Sequence, residues 1–162
     1  RGVRACAVAA GRGHSLVLAA SGAVYSFGWG EDGQLGHGDG NKQLTPKVIE
    51  SLRSVRMWAV AAGGDYSLVL GAGGEVYSFG CGGGGRLGHG NAVGRYNYTP
   101  RVVKALKGVK VRAVAAGRRH SLVLGSAGKV YSFGAGGYGT LGHSNEELKH
   151  TPTPSRHFEV SG

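Results

Sequence analysis

The chain is poor in cysteine, in acidic residues and in long apolar runs, and each shortage removes a class of protein. Cys6 and Cys81 are its only cysteines. They fall at different places in the repeating pattern described below, so no disulfide framework is expected. A reducing, intracellular setting is expected instead, with the choice between nucleus and cytoplasm open. No apolar run approaches the roughly 18 residues of a membrane-spanning helix, and the N-terminus lacks the apolar stretch of a signal peptide. No segment keeps a helical period. Val103–Val109 comes nearest, and Gly108 among β-branched neighbours argues against it. Asp and Glu number 9 against 19 Lys and Arg, a net charge of +10 that favours an anionic partner.

Glycine is abundant, with 33 residues in 162, roughly three times its usual share. Collagen is excluded because there is no strict period of three. Disorder is excluded because 41% of the residues are hydrophobic and fall in regular clusters. Many tight turns between short strands remain.

The turns recur. Ala-Val-Ala-Ala-Gly stands at 7–11, 59–63 and 113–117, Val-Tyr-Ser-Phe-Gly at 24–28, 76–80 and 130–134, and Leu-Gly-His begins at Leu35, Leu87 and Leu141. Thr-Pro closes each unit at Thr45–Pro46, Thr99–Pro100 and Thr151–Pro152. Three tandem repeats follow, at about 1–52, 53–106 and 107–162. Leu35 to Pro46 and Leu141 to Pro152 are 11 residues apart, whereas Leu87 to Pro100 is 13, which places a two-residue insertion in a loop at Asn91–Tyr98. Within the first unit, strands are predicted at Arg4–Ala9, Ser15–Leu18, Ala23–Phe27 and Lys47–Ile49. A turn falls at Gly11–Gly13 and a glycine-rich loop at Gly28–Gly40. Four short strands per unit make a propeller blade. Ser15-Leu16-Val17-Leu18 does not alternate, as expected of a strand covered on both faces by neighbouring blades.

Ala-Gly-x-x-His-Ser, Val-Tyr-Ser-Phe-Gly, Gly-x-Leu-Gly-His-Gly and Thr-Pro, in that order, resemble the regulator of chromosome condensation repeat over essentially the whole chain. The resemblance implies an all-β propeller, here about three blades of a seven-bladed ring, in which each sequence repeat contributes strands to adjacent blades. Some members of that family are guanine-nucleotide exchange factors for a small GTPase that dock on chromatin. One branch includes the plant ultraviolet-B photoreceptor, and many members are interaction modules inside larger proteins such as ubiquitin ligases. Three repeats leave two uncovered blade faces. The chain opens at Arg1 with Met57 its only methionine, so further flanking repeats are expected to close the ring, with self-association as the alternative.

Three motifs invite chemistry. Gly-x-Gly-x-x-Gly occurs at Gly28/Gly30/Gly33, Gly80/Gly82/Gly85 and Gly134/Gly136/Gly139, each after a strand. The Leu-Gly-His that follows breaks the helix a dinucleotide site requires, so the glycines are expected to serve positive φ or close backbone approach, and no cofactor is expected. His14-Ser15 and His120-Ser121 resemble a base and nucleophile, but Tyr66 fills the same slot in the second copy, and adjacent strand residues point to opposite faces. A turn-stabilising hydrogen bond is the expected role. His37, His89 and His143 stand one per repeat and are not expected to converge on a metal. Trp29 and Trp58 do not supply the tryptophan cluster that photoreception would need.

The charge pattern says more. Between Val76 and Ser144 there is no acidic residue, yet there are ten basic ones: Arg86, Arg95, Arg101, Lys104, Lys107, Lys110, Arg112, Arg118, Arg119 and Lys129. Arg95, Tyr96, Tyr98, Lys104, Lys107, Lys110, Arg112, Arg118 and Arg119 are the candidate partner-binding residues, with no catalytic, cofactor or metal residue among them. The expected function is a non-catalytic protein-interaction scaffold. The alternatives are exchange-factor activity on a small GTPase, chromatin or nucleic-acid binding through a basic face, and, least favoured, an ultraviolet-B photoreceptor-like role whose tryptophans would lie in other blades.

Overall fold

Val-Tyr-Ser-Phe-Gly is built from strong strand formers, and in each repeat it lies one strand in from the edge of a four-stranded sheet. A computed structural model describes residues 2–90 and 94–158. The first sheet is β1 (Ala5–Ala10), β2 (His14–Ala19), β3 (Val24–Gly28) and β4 (Gln43–Val48). The second is β5 (Met57–Ala62), β6 (Tyr66–Gly71), β7 (Val76–Cys81) and β8 (Tyr96–Val102). The third is β9 (Val111–Ala116), β10 (His120–Gly125), β11 (Val130–Gly134) and β12 (Lys149–Pro154). Each sheet is antiparallel and keeps sequence order across its width. The described residues contain no α-helix, only short 3₁₀ turns such as Lys104–Leu106, which lies within the segment nearest to a helical pattern.

The fourth strand differs from its sequence prediction. It begins before the proline, at Gln43, and carries Pro46 within it. As the outermost strand it has one unpaired edge, where the missing N–H of proline costs no ladder bond. The insertion also behaves differently from a simple loop. Tyr96 and Tyr98 lie in β8, and Tyr96 pairs with Cys81, so the extra residues lengthen the hairpin by a rung that the other blades lack. Residues 91–93 of that insertion lie outside the described residues.

Burial along the second strand of each sheet shows how the blades stack. In the middle blade, β6 is buried at every position. In the first, His14, Leu16 and Leu18 are buried while Ser15 and Val17 are half-buried; in the third, Ser121 and Val123 are buried while Leu122 and Leu124 are half-buried. One parity faces the following blade and the other faces the preceding one, so each terminal blade has one uncovered side. Two apolar layers result. Leu18, Val24, Ile49 and Leu52 meet Met57, Val69 and Phe79 between the first two blades; Leu70, Val76, Val103 and Leu106 meet Val111, Val123 and Phe133 between the last two.

The antiparallel order fixes which loops share an end. Turns after the first strand and loops after the third meet at one end of the blades, here the upper end. Turns after the second strand and the crossings between blades meet at the lower end.

Candidate functional site

Most recurrent polar side chains are occupied in holding the blades together. In each Val-Tyr-Ser-Phe-Gly the serine donates to the carbonyl of the Leu in Leu-Gly-His and accepts from the histidine Nε2. The distances are 2.7 and 2.9 Å for Ser26 with Leu35 and His37, 2.8 and 2.8 Å for Ser78 with Leu87 and His89, and 2.7 and 2.8 Å for Ser132 with Leu141 and His143. Each of these histidines is therefore tied inside its own blade. The glycine motifs likewise serve backbone geometry. Gly28 has φ +105°, and a Cβ there would lie 2.5 Å from the Gly13 carbonyl oxygen. The segment after Gly80 makes a single 3₁₀ turn, Gly83–Gly85, rather than the helix of a dinucleotide site.

The histidine beside a serine works differently from the predicted turn stabiliser. His14 Nε2 lies 2.9 Å from Ser67 Oγ in the next blade, and Ser67 Oγ donates to the Gln34 carbonyl at 2.8 Å. The hydroxyl has one proton and spends it on Gln34, so it accepts from the imidazole. A nucleophile would need the reverse. In the second blade Tyr66 takes the slot, donating to the His120 carbonyl and lying 3.0 Å from Ser121 Oγ. Ser121 also reaches the Arg86 carbonyl at 2.8 Å. Burial holds the Tyr66 phenol up at about 12.

Burial also pulls His14 down from 6.5 to about 4, against smaller opposing effects of the Tyr66 backbone and Asp65. Its Nδ1 is buried with no partner among the described residues, so a second ring proton would find no acceptor there. An unfolded chain takes up that proton near 6.5, while the folded chain resists until about 4. The His14 contribution to stability is thus constant above this window and is lost as pH falls through it. His14→Tyr, which copies the second blade, is expected to make the acid-side loss shallower. Urea unfolding midpoints of both proteins across that pH range check this, and parallel curves would refute it.

The candidate partner-binding residues divide between the two ends. Arg95, Arg118 and Arg119 lie at the upper end, in the β7–β8 and β9–β10 connections, and Tyr96 and Tyr98 stand in the first residues of β8. Lys104, Lys107 and Lys110 are exposed in the β8–β9 crossing at the lower end, and Arg112 is exposed on β9. A run that is continuous in sequence is therefore two surfaces in space.

At the upper end a groove is lined by Arg86, Arg95, Tyr96, Arg118, Arg119 and Leu148, with Arg12 and Asp32 of the first blade and Asp65 of the β5–β6 turn. Arg95 lies over the Tyr96 ring, 5.3 Å from its centre, and Tyr98 is 6.5 Å from Tyr96. Arg12 Nη1 is 3.6 Å from Asp65 Oδ2. Asp32 is held above the usual carboxylate range, chiefly by burial and then by Asp65 and Glu31, against the opposing pull of Arg95 and Arg86. Sequence reasoning placed Arg86 in the basic window but left it out of the candidate site. Trp29 joins the upper end through its backbone bond to Gly13, and Trp58 lies beside Gly22 and Ala72 at the lower end, so the two indoles form no cluster.

The model of the regulator of chromosome condensation (RCC1) repeat matches residues 21–70, 73–124 and 127–161. The chain belongs to the RCC1 repeat family. The first matched RCC1 segment takes in β3 and β4 of one blade with β5 and β6 of the next, so the family unit straddles two blades. The chain is 41% identical over 156 residues to the probable E3 ubiquitin-protein ligase HERC4 of Mus musculus, covering 96% of this chain and 14% of that protein. It is 38% identical to the ultraviolet-B receptor UVR8 of Arabidopsis thaliana, covering 94% and 34%. Among solved structures, human WBSCR16 matches with a TM-score of 0.85 and 32% identity over 95% of this chain and 38% of that one. Prp20p of Saccharomyces cerevisiae, studied for its binding to Gsp1p and histones, matches with 0.80 and 26% over 93% and 38%. The chain thus spans well under half the length of these RCC1-repeat relatives. The RCC1 fold is an all-β propeller, and this chain supplies three of its blades. No helix among the described residues is long and apolar enough to cross a membrane.

Proposed function

We propose that the chain is a non-catalytic interaction scaffold, part of a seven-bladed ring in the nucleus or cytoplasm, whose upper end receives a protein partner. One observation carries this reading. The serines of Val-Tyr-Ser-Phe-Gly and the histidines of Leu-Gly-His, which recur in every blade, hold each loop to its own blade, and His14 and Tyr66 reach across to the next one. The side chains that do not recur, Arg86, Arg95, Tyr96 and Arg119, gather in one groove. Variable side chains on a repeated frame are how a solenoid or propeller acquires a partner. Substrate turnover by the purified full-length protein that depends on the residues named here would defeat the scaffold reading.

The likeness to Prp20p favours a second reading, nucleotide exchange on a small GTPase through loop contacts alone. Faster release of labelled GDP from one member of a GTPase panel is its expected result, and no acceleration across the panel removes it. The lysines of the lower end supply a third reading, a nucleic-acid or chromatin contact. It predicts affinity that falls steeply with salt and weakens on Lys104→Glu.

A further inference from the structure

The groove at the upper end contains a charge that the fold does not need. Arg86 is 8% exposed, and its guanidinium has one protein hydrogen bond among the described residues, from Nε to the Gly83 carbonyl at 2.6 Å. None of the ion pairs among those residues includes it. Asp32 is near enough to feel this charge, but no carboxylate among those residues comes within ion-pair distance of it, and a nearly buried cation so incompletely compensated is costly unless something further offsets that cost.

The neighbouring copies show that the cost is not structural. The position of Arg86 is held by Gln34 in the first repeat and Thr140 in the third. What the blades share there is the backbone: the Gln34 carbonyl accepts from Ser67, and the Arg86 carbonyl accepts from Ser121 in the same way. The side chain is free to vary, and only in the middle repeat is it a guanidinium facing a groove. Arg95, on the β7–β8 loop, and Arg118 and Arg119, on the β9–β10 turn, stand around it, all exposed, with the Tyr96 ring and Leu148 offering apolar surface between them.

Two features decide the class of ligand. Asp32 and Asp65 interrupt the basic wall. A sugar-phosphate backbone, charged at every nucleotide, meets these carboxylates wherever it runs, whereas a peptide can set its acidic side chains against the arginines and pass the aspartates with uncharged residues. The planar forks of arginine pair with carboxylates in two-point fashion, and Tyr96 and Leu148 suit an apolar side chain beside the acidic one. We propose that this groove binds an acidic peptide segment of a protein partner, with Arg86 as the anchor at its floor and Arg95, Arg118 and Arg119 at its rim. The proposal rests on the scaffold reading and names its partner chemistry.

The test is fluorescence anisotropy on the full-length protein with three labelled probes: a short peptide of Glu, Asp, Gly and Leu, its Gln and Asn counterpart, and a single-stranded oligonucleotide. The acidic peptide is expected to bind, with affinity falling as salt is added, and its neutral counterpart is not. Arg86→Gln, a residue the fold already accepts at position 34, is expected to weaken binding at least about tenfold. Arg95→Glu with Arg118→Glu, both exposed, should do the same, whereas Arg53→Glu, exposed in the β4–β5 crossing at the other end, should leave binding unchanged. Thermal melts of each variant separate lost binding from lost fold. Peptide affinity untouched by both groove variants overturns the proposal. So does preferential binding of the oligonucleotide through the same arginines, or self-association that Arg86→Gln abolishes with no peptide bound. None of these failures touches the scaffold reading, which stands or falls on substrate turnover.

Discussion

Phe79→Ala is expected to cost about 3–5 kcal/mol of stability, while Phe27→Ala, the same residue of the same motif one blade earlier, costs far less in the 162-residue chain. Phe79 is fully buried in the layer between the first two blades, packed with Leu18, Val24 and Ile49. The Leu-Gly-His loop of the first repeat presses on it as well, since a Cβ on Gly36 would lie 2.9 Å from its ring. Truncating it removes the transfer energy of a phenyl group and leaves a cavity that sheets joined on both sides cannot collapse to fill. Phe27 occupies the equivalent place on the uncovered side of the first blade and is only half-buried. Urea unfolding of the two variants checks the difference. Equal losses would mean that the outer side of the first blade is covered in solution.

Gly63→Ala is expected to destabilise by about 3 kcal/mol, at the upper end of the usual range for overpacking. Gly63 is not in the left-handed region, so its backbone conformation is open to alanine, and the objection is steric. A Cβ there would lie 2.0 Å from Cε1 and 2.5 Å from Cδ1 and Cζ of Tyr66. That ring is fully buried and is held at its far end by the His120 carbonyl, so it cannot swing aside. Gly11 and Gly117 stand in the same relation to His14 and His120, which accounts for the closing glycine of Ala-Val-Ala-Ala-Gly. Gly137→Ala, where a Cβ would meet nothing within 4 Å, is the control and should change stability by no more than about 0.5 kcal/mol. In a double-mutant cycle, Gly63→Ala and Tyr66→Leu should cost less together than the sum of each alone, because the smaller side chain relieves the clash. Strict additivity would show that the ring is not the obstacle.

The strand order was legible because the markers recur at fixed steps and the turn residues punctuate them. The covering of β6 on both faces was legible too, since Ser15-Leu16-Val17-Leu18 and its copies refuse to alternate. The bond between His14 and Ser67 was not. Its partners are 53 residues apart, one period and one position, and reading His14 beside Ser15 drew attention to the neighbour in sequence rather than the neighbour in the next blade. The signal was Tyr66: an imidazole and a phenol share a slot when what matters is a polar atom at the far end of a ring. The candidate site was read as one surface because its charges are consecutive. Antiparallel order sends Arg95 and Arg118 to one end and Lys104 and Lys107 to the other, so sequence proximity was the wrong guide. Arg86 escaped notice because its burial depends on the loop of the second repeat folding onto the third blade, with its carbonyl fixed by Ser121.

The turns that follow the first strand of each blade are linked by their backbones: the Arg12 amide donates to the Gly64 carbonyl at 3.2 Å, and the Gly64 amide donates to the Arg118 carbonyl at 3.3 Å. Each link runs the same way, so the array has a direction, as a row of arrows does. The two sides of a blade are a lock and a key of different shapes, a donor amide facing the following blade and an acceptor carbonyl facing the preceding one. A blade gained or lost as a whole therefore leaves every remaining junction chemically the same and alters only the angle left to close. Growth by duplication is cheap in such an array, and a ring is the size at which the last key meets the first lock.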